Sequence, residues 1–251
     1  MKQREKSVLA GVVGASVVVA AWWIATATGA VDDRILLSPP AFVSRLFGLD
    51  WSEWAVNAGV STYRVILGFI VGSGLGFLVG VLVGWSDRLR NLLGLPLELL
   101  RPIPPLAWVP LAIIWFGIGD ASKVYVIALG SFFVMLTNTE KGIRGLDAAL
   151  IRQGRTYGLR GFSLIRRVAI PAILPELAVG SSIALSLAFA SLVAAEMLGA
   201  NSGLGYMLMR GRVDGDYGAV LIAIISIAAL AYAVDVVVTR LLIRRREAYD
   251  S

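Results

Sequence analysis

The chain has 251 residues, 57% of them hydrophobic and 16% charged, with a formal net charge of +6 and a mean hydropathy of +0.78. A soluble domain is roughly 45–50% apolar and about 25% charged, so disorder and most soluble enzymes are excluded. Cysteine and histidine are both absent, which removes disulfides, thiolate chemistry and the commonest general base and metal ligand; no catalytic residue and no metal site is expected.

A hydrocarbon core of roughly 30 Å takes about 20 apolar residues per helix. Six stretches qualify, and the chain reads as an all-α membrane protein with six transmembrane helices. The first, about Ser7–Thr28, follows Lys2, Arg4 and Lys6. Its apolar run exceeds the roughly 7–15 residues of a signal peptide, and Trp22 and Trp23 suit an interfacial belt, so it reads as a retained anchor. An outer segment, Val31–Val56, follows, in which Phe42, Val43, Leu46 and Phe47 after Ser38-Pro39-Pro40 suit a short amphipathic surface helix. Residues 1–56 thus form an anchor plus outer segment, and residues 57–251 a core of five spans.

The second span is about Asn57–Trp85 and the third about Leu92–Gly119. Pro102, Pro104, Pro105 and Pro110 interrupt the third, so its freed carbonyls must face protein or a water-filled cavity. Arg101, about 9–12 residues into this span, would lie roughly 14–18 Å deep. A charge at that depth marks either a pair, here with Glu98 three positions earlier, or a functional site. Trp108 and Trp115 are seven apart and share a face. The fourth span is about Ser122–Thr139.

The inner loop Glu140–Pro175 alternates basic and apolar residues. Asp147 is a helix N-cap for a run to Tyr157, Gly158 a left-handed C′ residue, and Ser163–Ala169 a second short amphipathic helix. Pro171 and Pro175 open the fifth span, about Ala172–Gly199. That span is rich in small residues and serines suited to close helix packing. Glu196 near its outer end is read as capping N–H groups of Asn201–Gly205. The sixth span is about Tyr217–Ile243, with Asp235 near its inner end expected to form a structural pair. With both termini in the cytoplasm, most of the 23 Lys and Arg fall on inner segments, as the positive-inside rule requires.

Three stretches resemble one family. Gly158 followed after nine residues by Val168-Ala169-Ile170-Pro171 resembles the second half of the cytoplasmic "EAA" loop of ABC-importer permeases. Leu99–Lys123 (LLRPIPPLAWVPLAIIWFGIGDASK) and Ala194–Leu208 (AAEMLGANSGLGYML) are similar to the taurine, alkanesulfonate and nitrate branch. The positions of the E-A-A triplet hold Arg152-Gln153-Gly154, a departure that puts in doubt any salt bridge needing Glu there.

The resemblance implies a type I ABC-importer permease in the bacterial inner membrane. Its partners would be two cytoplasmic ATPase subunits, a second permease copy and an external binding protein, with nucleic acid playing no part. The chain has no G-x-x-x-x-G-K-[ST] loop, so ATP, the one cofactor in view, would be bound by the partner. Loop 140–171 would be the coupling element: Asp147, Gly158 and Pro171 shape it, Tyr157, Phe162 and Ile165 supply apolar anchors, and Arg155, Arg160 and Arg166 a polar rim. The translocation pathway would draw on Arg101, Pro105, Trp108, Ser182, Ser186, Ser191 and Glu196. Taurine or another alkanesulfonate is the expected cargo. Alternatives are nitrate, bicarbonate or a heterocyclic vitamin precursor, or a gradient-driven secondary transporter, which would need midplane carboxylates.

Overall fold

The computed structural model describes the backbone of residues 2–29 and 36–250, and side chains within 13–29 and 36–240. Lys2, Arg4, Lys6, Arg34 and Arg244–Arg246, which contribute to the charge bias, fall outside the described side chains. The described elements are helical: α1 (Lys2–Ala27), α2 (Pro39–Phe47), α3 (Trp51–Trp85), α4 (Asp87–Leu100), a 3₁₀ turn (Pro105–Trp108), α5 (Val109–Phe116), α6 (Asp120–Arg144), α7 (Ala148–Thr156), α8 (Phe162–Leu164), a π turn (Ile165–Ala169), α9 (Ile170–Ala172), α10 (Leu174–Gly199), α11 (Leu204–Asp214) and α12 (Tyr217–Asp250).

Four helices are long and apolar enough to cross a bilayer: α3, α6, α10 and the Tyr217–Arg240 part of α12. The expected third span is not one helix. Asp87–Leu100 and Pro105–Phe116 are bent by 87° at a proline-rich break, where Pro104, itself followed by proline, is held extended at ψ 138. In α1 the described apolar stretch is only Ser16–Ala27. Among the described residues, four of the six expected crossings are evident, or five if the bent pair counts as one; the start of the first, expected over Ser7–Thr28, lies outside the described side chains.

The bundle is organised around α3 and α6. Gly68, Gly72, Gly76, Gly80 and Gly84 recur every fourth residue of α3 and so form one stripe. A Cβ at Gly68 would come within 2.6 Å of Ile127, one at Gly80 within 2.7 Å of Leu136 O, and one at Gly84 within 3.1 Å of Ile143. The partners advance along α6 as the glycines advance along α3, so the helices run parallel with their backbones in contact. Apolar burial gives little driving force between helices in lipid, and close backbone approach through small residues takes its place. Two parallel neighbours also require the intervening α4–α5 segment to bring the chain back across their length.

Helix α10 lies antiparallel on the other side of α6, with Gly130 against Ser191 and Leu187, Gly180 against Asn138, and Gly142 against Ile173. Helix α12 packs on α10 through Ile227, Leu230, Ala231 and Val234, which cover Leu185, Ala188, Phe189 and Leu192. Helix α5 follows α10: Pro105 lies near Gly130, and Ile113 meets Gly199.

At one edge α2 is tied to the α11–α12 corner. Arg45 pairs with Asp216, which also accepts from the Ala219 N–H at 3.0 Å. Burial by itself would raise the Asp216 pKa, yet the Ala219 N–H and the Arg45 guanidinium hold it below its ordinary value. A depressed folded pKa contributes stability that is complete above the unfolded value of about 3.9 and is lost as pH falls through the lower folded value. Acidification below about pH 4 is expected to release α2 and change the emission of Trp22, which stacks edge-on against Phe42 at 5.9 Å. An acid transition that persists unaltered in Asp216→Asn would contradict this link.

Candidate coupling surface and translocation pathway

At the arginine-rich end, the loop between α6 and α10 is rigidly built. Asp147 caps α7 by accepting from the Ala149 N–H at 2.7 Å. Gly158 has φ +79, the left-handed C′ conformation expected after this helix, and Gly161, at φ +51, turns the chain into α8. Gly154, the third residue of the departed E-A-A triplet, is buried where a Cβ would come within 2.6 Å of Leu164. Glycine there lets α7 lie directly on the α8–π-turn segment. The expected second helix is real but not regular: it starts at Phe162 and passes through the π turn at Ile165–Ala169. Pro171 has no N–H to give to the carbonyl four residues back, which fits the local change of register.

This loop presents Tyr157 and Phe162 at 86% and 73% exposure. Arg152, Arg155, Arg160, Arg166 and Arg167 surround them, all exposed. Ile165 is only half-buried and stands partly behind the anchors. A cavity of about 630 Å³ lined by Lys141, Asp147 and Glu176 separates the loop from the helix ends.

The opposite end carries a polar network. Arg64 Nη1 donates to Glu196 Oε1 and to the Ser202 carbonyl, both at 2.7 Å, and Arg64 Nε donates to Asp120 Oδ1 at 2.8 Å. The Ser61 hydroxyl donates to Glu196 at 2.9 Å and accepts from the Leu204 N–H at 2.8 Å. Asn57 Oδ1 accepts from the Gly203 N–H at 2.7 Å, and Glu196 Oε2 from the Gly205 N–H at 2.9 Å. Gly203 has φ +118, and a Cβ there would strike the Glu196 carboxylate. The motif Ser202-Gly203-Leu204-Gly205 thus wraps a buried carboxylate.

Glu196 does cap this loop, as expected, and its charge partner is Arg64, which the positive-inside pattern does not single out. Arg64 is 4% exposed and joins α3, α6, α10 and the α11 entry. Roughly six turns, or about 32 Å, separate Arg64, Asp120 and Glu196 from Trp85, Gly142 and Leu174 at the other end. The network stands one hydrocarbon thickness from the arginine-rich end.

The other expected pathway residues are dispersed. Ser191 is buried and donates to the Leu187 carbonyl at 2.8 Å. Ser182 shares a hydrogen bond with Thr239 at 3.2 Å. Only Ser186 lies on the exposed stripe of α10. Pro105 and Trp108 are half-buried in the 3₁₀ turn. Arg101 is exposed at the bend, and among the described residues it forms no ion pair with Glu98. Asp235 does not have the expected partner: its Oδ1 is buried without a hydrogen bond among the described residues.

Residues 72–247 match the model of a family described as binding-protein-dependent transport system inner membrane component. The chain is 37% identical to the aliphatic sulfonates transport permease SsuC of Bacillus subtilis, over 94% of this chain and 87% of that one. Against SsuC of Escherichia coli it is 38% identical, over 92% and 90%, and against the taurine transport permease TauC of Escherichia coli 29% identical, over 88% and 82%. Its fold is similar to a chain of the MetNI methionine ABC transporter in an inward-facing conformation, with TM-score 0.63 and 18% identity over 77% of this chain and 99% of that one.

Proposed function

Because this chain belongs to the binding-protein-dependent transport system inner membrane components, we propose that it is the permease of an ATP-driven importer whose cargo is an alkanesulfonate or taurine. It is a multi-pass inner-membrane protein. The arginine-rich end faces the cytoplasm by the positive-inside rule, and both termini lie there if α1 crosses. Two copies would enclose the pathway, two ATPase subunits would dock on the α7–α9 loops, and a binding protein would deliver cargo to the network end. The sulfonate reading rests on the relatives named SsuC and TauC.

The observation that carries the coupling role is the exposure of Tyr157 and Phe162 on a loop fixed by Gly154 and Gly158. Aromatic side chains held out on a rigid frame are typical binding anchors. Vesicles holding permease, ATPase and binding protein are expected to accumulate labelled alkanesulfonate or taurine only with ATP. Tyr157→Ala with Phe162→Ala is expected to weaken ATPase co-purification at least tenfold, at about 2 kcal/mol per anchor. Gly158→Val, which adds left-handed strain but meets no neighbour within 4 Å, is expected to uncouple uptake from hydrolysis while leaving the spans folded. Gradient-driven uptake by the permease alone would refute the reading.

A further inference from the structure

From Ala148 to Ala169 the loop between α6 and α10 carries five arginines and no acidic residue. Among the described residues none of the five is in an ion pair. Elsewhere at the same end arginines are matched: Arg90 and Arg144 share the Asp87 carboxylate at 3.5 Å each. The positive-inside rule asks only for basic residues on this side of the membrane. It does not ask that they be gathered on one loop, held outward and left without counter-charge.

The local structure holds them there. Around α7, Arg152 lies about 160° and Arg155 about 100° from the buried Gly154. Thr156 Oγ1 donates to the Arg152 carbonyl at 3.1 Å, and the Gly158 N–H to the Arg155 carbonyl at 3.0 Å. Past the turn, the Arg160 N–H donates to Ser163 Oγ at 3.1 Å, and that hydroxyl donates back to the Arg160 carbonyl at 2.7 Å. The backbone under these three arginines is thus fixed before a partner arrives, which lowers the ordering cost of binding.

A lipid surface does not fit this face. A helix lying on a membrane needs an exposed apolar side, and the large apolar residues of α7, Leu150 and Ile151, are half-buried by the chain itself. A protein groove does fit. Tyr157 and Phe162 are exposed on either side of the turn, and arginine is the charged residue enriched with aromatics at interfaces. Once buried there, each guanidinium needs a carboxylate, because an unpaired charge taken out of water is costly. Arg152 also reverses the charge that an E-A-A triplet would place at its position.

We propose that Arg152, Arg155 and Arg160 meet carboxylates lining an acidic groove on the ATPase, and that this charge pattern selects which ATPase the permease accepts. The aromatic pair supplies contact area that any apolar groove could match, whereas the arginines repel a groove with basic walls. The inference rests on the reading of this chain as an ATP-driven permease and not on the identity of the cargo.

The test titrates the ATPase onto the full permease in nanodiscs of neutral and of anionic phospholipid. Arg152→Glu is expected to weaken binding about tenfold or more, and Arg152→Lys to retain it. Arg240→Glu, the same reversal at an exposed position of α12, is the control and is expected to bind as the native chain does. In the assembled Arg152→Lys complex, a carbodiimide activates a carboxylate, the introduced amine displaces the activating group as a urea, and an amide forms. Mass spectrometry is expected to find that amide on an Asp or Glu of the ATPase. Exchanging the carboxylate so found for arginine is expected to restore binding to Arg152→Glu. Equal binding by the native chain and Arg152→Glu overturns the proposal alone, as does the lack of any amide on the ATPase or a native affinity set by anionic lipid and not by position 152. A native permease that binds no ATPase in either lipid defeats the importer reading and this proposal together.

Discussion

Gly72→Val is expected to separate α3 from α6 and to unfold the bundle in detergent well below the native transition temperature. A Cβ at Gly72 would lie 2.7 Å from Ala128 Cα and 2.8 Å from its carbonyl carbon. Those are backbone atoms of a parallel helix and cannot turn aside as a side-chain tip does. Overpacking of well-filled interiors costs about 1–3 kcal/mol, and here the clash also forces apart the neighbouring contacts at Gly68 and Gly76. A loss of about 3 kcal/mol or more is expected, seen as a lowered unfolding temperature and a collapse in the yield of monodisperse protein. Gly74→Val is the matched control: it lies on the same helix, two residues away, with nothing within 4 Å of a new Cβ. If the two variants unfold alike, the stripe does not hold the bundle.

The second large effect is at Arg64. Arg64→Met leaves Glu196, 1% exposed, as a buried carboxylate without its cation. Breaking one side of a buried ion pair costs about 3–5 kcal/mol, whereas replacing both partners with apolar groups is often near neutral. Arg64→Met with Glu196→Met is therefore expected to recover part of that loss, though the N–H of Gly205 and the hydroxyl of Ser61 lose an acceptor and keep a penalty of about 1–3 kcal/mol. Chemical unfolding of the two singles and the double gives the coupling energy directly. Additive losses with no recovery would mean that Arg64 and Glu196 act independently.

Much of the bundle was legible in the residues. The spans α3, α6, α10 and α12 emerge from long apolar runs bounded by charge, and the caps at Asp147 and Gly158 follow from local chemistry that any context respects. Glu196 was legible as a loop cap because Gly203 and Gly205 stand close in sequence. Its bond to Arg64 was not, since 132 residues separate them and nothing local marks which arginine turns inward. The glycine stripe of α3 is a plain four-residue period in the sequence, and the small residues and serines of α10 are an equally plain signal of close packing. Prolines announced the break before α5, but they fix only where a helix stops and say nothing of an 87° angle. The break follows directly after Arg101, so the residue stands at a corner that the proline pattern marks and the angle defines. Which serines of α10 are exposed was not legible either, because a span that touches several neighbours buries most of its circumference.

The contact between α3 and α6 has a mechanical side. Side chains between two helices can rotate, tilt and recoil, and so absorb part of any push. Along this seam α3 contributes bare backbone at Gly72 and Gly76, set against backbone of Ala128 and Phe132, with Phe69, Phe77 and Val81 packed beside it. The pair therefore resists shear along about 24 Å of closely apposed helix. Glu140–Arg144 and Asp120 are the two ends of α6, and Asp120 is joined to Arg64 of the facing helix by the ion pair at the far end.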